Sequence, residues 1–114
     1  MKVSITFDRL RWEEKALSEA AEAAGVEATL VDSKGLIFEV PKKHPDLGDV
    51  VLQRCISHYR SSILTLMLEG AGLKVINSHD VAETCSNKLA TSIVLANAKV
   101  PTPRTFLGCL RRQR

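Results

Sequence analysis

Three short stretches carry side chains that could act on an anion. They are Asp8-Arg9-Leu10-Arg11, Arg54-Cys55-Ile56-Ser57-His58-Tyr59-Arg60 and Asn77-Ser78-His79-Asp80. Arginine offers a planar fork of donors that matches carboxylate and phosphate oxygens. The same stretches also read as solvated loop ends, because loops are polar in any case. Lys88 is a fourth candidate. It falls in the first turn of a helical pattern that begins at Asn87, where the positive end of the helix disfavours a cation. A lysine beside free helix-start amides would make a phosphate-binding arrangement. An ordinary surface lysine is the other reading. Cys55 and His58 could suggest a thiol and its base. Their closeness in sequence says little, since such pairs meet in space. A structural cysteine at a strand end is the favoured reading.

The elements that must position these groups alternate. Val3, Ile5 and Phe7 interleave with Ser4 and Thr6, a strand of period two. Trp12 to Ala24 has helical spacing, with Trp12, Ala16, Ala20 and Ala23 on one face and glutamates on the other, and Gly25 follows at the C-cap. Val26–Val31 reads as a strand, and Leu36–Val40 as a less secure one. Asp49–Cys55 is a further strand. His58–Glu69 is a helix burying Ile63, Leu64, Met67 and Leu68, and Leu73–Ile76 is another strand. Ser78 can cap a short helix, Asp80–Thr84, and Ser86 the next one, an amphipathic run ending at a Pro101-Thr102-Pro103 corner. Strands alternating with helices predict an α/β fold with a parallel sheet. In such sheets ligands bind beyond the carboxyl ends of the strands, and that rule selects the three polar stretches.

Composition narrows the classes. The chain has 114 residues, enough for one domain. Lys plus Arg number 16 and Asp plus Glu 13, but Arg111, Arg112 and Arg114 lie at the end, so residues 1–110 carry 13 of each sign. That balance gives no surface for nucleic acid. No run of about 18 apolar residues exists, so no membrane span is expected. Neither a signal peptide nor a dinucleotide or P-loop glycine motif is present. Cys55, Cys85 and Cys109 are an odd number without a Cys-x-x-Cys pair, which predicts reduced thiols in a cytoplasmic protein. His44, His58 and His79 show no metal spacing with them.

Four ordered blocks carry more. "ITFDRLRWEEKAL", "LGDVVLQRCISHYR", "VINSHDVAETCSNKLAT" and "VPTPRT" together closely resemble the N-terminal region of the ATP-grasp ligases of lysine and arginine biosynthesis. These are the LysX-type α-aminoadipate–carrier protein ligases, relatives of the RimK glutamate ligases. The archaeal members are the most similar. The resemblance runs from Lys2 to Thr105.

It implies a Rossmann-like pre-ATP-grasp domain over residues 1–105, a parallel sheet flanked by helices. In the family two ATP-clamping lobes follow. The family activates a carboxylate as an acyl phosphate with ATP and magnesium, and an amine then forms the amide. The carboxylate belongs to the C-terminal glutamate of a small acidic amino-group carrier protein. The amine is that of α-aminoadipate or glutamate. Relatives commonly form dimers or tetramers, so a homo-oligomer is consistent with the resemblance. The family motif Cys-Gly-Asp/Asn-Lys falls on Cys85-Ser86-Asn87-Lys88, which gives Lys88 the ATP phosphates, with Ser86 departing from glycine. Arg54, Ser57 and Arg60 fall on a substrate-side block, where Gln53 replaces the usual glutamate.

In the family "PTPRT" leads into the lobes that carry the magnesium carboxylates and the remaining phosphate ligands. Residues 106–114 are instead a short basic tail, which reads as a truncation or frameshift. On that reading this chain holds no catalytic residue and no metal ligand, and alone it does not turn over ATP. The alternative is a free-standing, non-catalytic binding module that pairs with a separate ATP-grasp half or with the carrier protein.

Overall fold

A computed structural model describes residues 1–40 and 46–108. The chain divides into two compact units, Met1–Ala82 and Glu83–Arg114. In the first unit, β1 (Lys2–Phe7) leads to α1 (Trp12–Ala23), β2 (Glu27–Asp32), a 3₁₀ turn (Ser33–Gly35), β3 (Val50–Gln53), α2 (His58–Gly70) and β4 (Lys74–Ile76). Helix α3 (His79–Ser86) contains the division between the units, and α4 (Lys88–Asn97) belongs to the second. The strands form one parallel sheet in the order β2-β1-β3-β4. Ile5 pairs with Leu30 on one side and Leu52 on the other. The predicted α/β class and parallel sheet are what the molecule has.

Strand β1 is central, and this overrides its alternating pattern. Ser4, Ile5 and Thr6 are all buried. A parallel strand covered on both faces hides its polar positions as well as its apolar ones. Thr6 meets the resulting need by donating its hydroxyl to the Leu52 carbonyl at 3.4 Å. Leu47, Val51, Leu64, Leu68 and Val75 form the core where α2 lies against β3 and β4. Of the helix residues expected inside, Leu64 and Leu68 are buried. Met67 is half-buried and Ile63 is exposed, and Thr65 is buried instead.

Helix α1 presents a different face from the one its alanines suggest. Trp12 is 75% exposed, and Ala16, Ala20 and Ala23 are exposed with it. Glu14 is the buried residue of this helix. Its interactions, described below, turn the Glu14–Ser18–Ala21 face toward the sheet. Leu36–Val40 is not a strand. The chain makes its 3₁₀ turn at Ser33–Gly35, and Leu36 and Phe38 pack on the core without pairing. Residues 41–45 lie outside the described residues, as do 109–114 with most of the expected basic tail.

Gly48 fixes the entry to β3. Its φ is +75°, and a Cβ there would come within 2.8 Å of both the Lys2 Cβ and the Lys2 carbonyl oxygen. Next to it, Asp49 N donates to the Lys2 carbonyl and Lys2 N to the Asp49 carboxylate. Only glycine lets the two backbones come so close.

In the second unit Thr91 on α4 donates its hydroxyl to the Thr84 carbonyl at 2.9 Å. A groove of about 300 Å³ runs between the Leu89–Ile93–Ala96 side of α4 and residues 102–105. Helices α1, α2 and α4 end alike. The amide of the residue just past each C-cap returns to the carbonyl three positions back, and the next amide to the one five back. Gly25 and Gly72 supply the required positive φ in two of them, and Lys99, at φ +57°, supplies it in the third.

Candidate functional site

The strand order reverses between β1 and β3, so the crevice at their carboxyl ends is the topological switch point. Two of the three polar stretches meet there. Arg54 N donates to the Thr6 carbonyl at 2.9 Å, which carries the β1–β3 ladder one residue beyond the strand. The carboxylate of Asp8, just after β1, then accepts from the Ile56 and Ser57 amides at 3.0 Å each. Ser57 N-caps α2, its hydroxyl accepting from Arg60 N at 3.4 Å. The Arg60 guanidinium stands 3.7 Å from Asp8 Oδ2, the oxygen that also accepts from Ser57 N. Arg54, Ser57 and Arg60 therefore share one turn, fastened to β1 by Asp8.

Glu14 organises the other half of the crevice. Its carboxylate is fully buried. It accepts from Arg11 N at 3.0 Å, Arg11 Nε at 3.2 Å and Arg11 Nη2 at 2.7 Å. It also accepts from Arg54 Nε at 3.4 Å, across 40 residues of sequence. Arg11 is thus a fork clamped on one carboxylate, and Arg54 leans on the same group. The hydrogen bonds from Arg11 hold the Glu14 carboxyl below its usual range, against the opposing pull of burial. At Asp8 burial pushes the pKa up, but the Ile56 and Ser57 amides and the Arg60 charge outweigh it, and the net shift is downward. Both carboxylates are ionised at neutral pH.

The remaining candidates fall out differently. Burial pushes the Cys55 thiol up, more than its hydrogen bond to Ser33 Oγ (3.3 Å) brings it down. A thiol kept protonated is a poor nucleophile, which supports the structural reading. The stretch after β4 is fastened to α2: His79 N donates to Glu69 at 3.1 Å, and its Nε2 lies 3.2 Å from Ser62 Oγ. Lys88 is exposed at the head of α4. Two of the helix-start amides are taken, because the Asn87 side chain accepts from Leu89 N and Ala90 N at 3.0 and 3.1 Å. The expected cap Ser86 does not cap α4; its hydroxyl donates to the Glu83 carbonyl at 2.7 Å. Among the described residues no three His, Cys, Asp or Glu side chains group closely enough to hold a metal ion. Among them no helix is long and apolar enough to cross a membrane.

Glu14 was not legible as a site residue. A glutamate at the third helical position is a known cap partner, but the usual signature needs Ser, Thr, Asp or Asn three residues earlier. Arginine stands there, and its pairing to a residue 40 positions on leaves no local trace. Beside the same turn, a groove of about 290 Å³ opens between Leu36 and Phe38 and the Ser57–Tyr59–Arg60–Ile63 side of α2.

The profile of the LysX preATP-grasp domain matches residues 3–84, close to the span of the first unit. The α-aminoadipate–LysW ligase LysX of Saccharolobus solfataricus is 36% identical over 86% of this chain and 36% of its own length. The glutamate–LysW ligase ArgX of Sulfurisphaera tokodaii is 31% identical over 95% of this chain and 38% of its own. A RimK domain ATP-grasp protein from Sphaerobacter thermophilus superposes with a TM-score of 0.68 at 30% identity, over 91% of this chain and 40% of that one. The chain thus spans a little over a third of the curated relatives it matches.

Proposed function

Because this chain belongs to the LysX preATP-grasp domain family, we propose that it serves as the N-terminal part of an ATP-dependent carboxylate–amine ligase. The reaction joins α-aminoadipate or glutamate to the C-terminal glutamate of a small acidic amino-group carrier protein. Residues 1–105 are the pre-ATP-grasp part. The observation that carries the reading is the match of the family profile to the unit whose switch-point crevice gathers Arg54, Ser57 and Arg60.

The roles follow from chemistry. Arg54, Arg60 and Ser57 hold and orient the anionic substrate, with forks and a hydroxyl suited to carboxylate oxygens. Lys88 supplies a mobile positive charge for an ATP phosphate. ATP, when bound, contributes the phosphoryl group that makes a carboxylate reactive toward an amine. Among the described residues no cluster of three or more His, Cys, Asp or Glu stands ready for magnesium.

The test is a chimera. Residues 1–105 replace the corresponding region of the Saccharolobus solfataricus ligase, and ADP release is measured with carrier protein and amino acid. Release that requires both, and that falls about tenfold or more on Arg54→Ala or Lys88→Ala, supports the proposal. A folded chimera with no carrier-dependent turnover, beside an active parent, would refute it.

A further inference from the structure

Glu14 is a buried carboxylate for which the proposed roles have no use. A helix cap accounts for the hydrogen bond from Arg11 N. It does not account for two guanidinium groups on one carboxylate. A buried carboxylate is neutralised by one arginine. Arg11 also stands 3.6 Å from the Glu13 carboxylate, so its charge is already shared, and Arg54 is the arginine that lies at the crevice where the strand order reverses. Arg54 reaches Glu14 through Nε, and its side chain is 40% exposed. Among the described residues nothing else engages its Nη1 and Nη2. Its backbone is pinned as well, through Arg54 N to the Thr6 carbonyl. This arginine is therefore held at the root and at Nε, with its outer donors unspent.

We propose that Glu14 is a positioning residue that aims Arg54, and that the outer donors of Arg54 take one carboxylate of the substrate. The inference rests on the proposed function, in which Arg54, Ser57 and Arg60 meet the substrate. A carboxylate fits because its two coplanar oxygens match the two parallel donors of one guanidinium. Fixing the arginine beforehand lowers the ordering cost of binding.

The test uses the 114-residue chain with isotope-labelled arginine. Glutarate is titrated in, and inorganic phosphate in a parallel series. The Arg54 Nε–H signal and the Ser57 and Arg60 amides are followed by NMR. Before any addition the Arg54 Nε–H is expected to be ordered, as judged by its relaxation. Glutarate is expected to shift all three signals, and phosphate to shift them far less. Glu14→Gln and Arg54→Lys are each expected to weaken glutarate about tenfold, the second because an ammonium has no fork.

Shifts in the unaltered chain with unchanged affinity in Glu14→Gln and weakened affinity in Arg54→Lys would overturn the positioning role and leave the substrate reading standing. No shift at any of the three would overturn both. A preference for phosphate would overturn the carboxylate assignment. Should Glu14→Gln not fold, a mobile Arg54 Nε–H in the unaltered chain, or unchanged affinity in Arg54→Lys, would overturn the proposal.

Discussion

At the scale of residues, two carboxylates set the chemistry of the crevice, and both bear on stability. The carboxyl of Glu14 is held low by its hydrogen bonds from Arg11. Its folded pKa lies below its unfolded one, so it contributes stability that is present above about pH 4.3 and lost as the pH falls through the folded value. Asp8 has the same sign: burial opposes the shift, and the Ile56 and Ser57 amides prevail. Urea midpoints measured across the acid range should therefore fall with pH, and fall less steeply in Glu14→Gln. An unchanged slope would remove Glu14 from this account. Asp8→Ala leaves two turn amides to water and should destabilise by about 1 kcal/mol at neutral pH. An unaltered urea midpoint for that variant would mean the Asp8 latch contributes nothing.

At the scale of elements, two backbone positions make opposite predictions. Gly48→Ala would force a methyl to within 2.8 Å of Lys2 at a positive φ, and should destabilise by well over about 1 kcal/mol. Lys99 holds a positive φ at the end of α4, where glycine is at home. Lys99→Gly should stabilise by about 0.5–1 kcal/mol, read as a higher thermal midpoint. A lower midpoint would show that the Lys99 side chain matters more than its backbone. The strands and α2 were legible in the sequence because apolar period and turn residues agreed there. Strand β1 kept its place but not its alternation, since Ser4 and Thr6 are buried by neighbours that no local pattern reports. The face of α1 was misread because Glu14 is drawn inward by Arg54, a partner from another element. Arg54, Ser57, Arg60 and Asp8 could be singled out as candidates from sequence, but Glu14 could not.

At the scale of the whole molecule, the family match covers the first unit, and the chain spans 36–39% of the curated relatives it aligns with. Lys88, the residue proposed to meet an ATP phosphate, is exposed, and the amides of the next two residues are already taken by Asn87. The 114-residue chain incubated with ATP and magnesium is therefore expected to release no ADP. Steady release that disappears in Lys88→Ala would overturn that expectation.

The Asp8 carboxylate at the Ile56 and Ser57 amides has a consequence for selectivity. An open helix start is a general seat for small anions, chloride included. Here the two amides that lead into α2 have a tethered tenant that dilution cannot remove. On the proposed function an arriving anion meets arginine forks there, so its outline is expected to count for more than its charge. The expected result is discrimination against the halides that crowd any cell, achieved by a side chain that never touches the ligand.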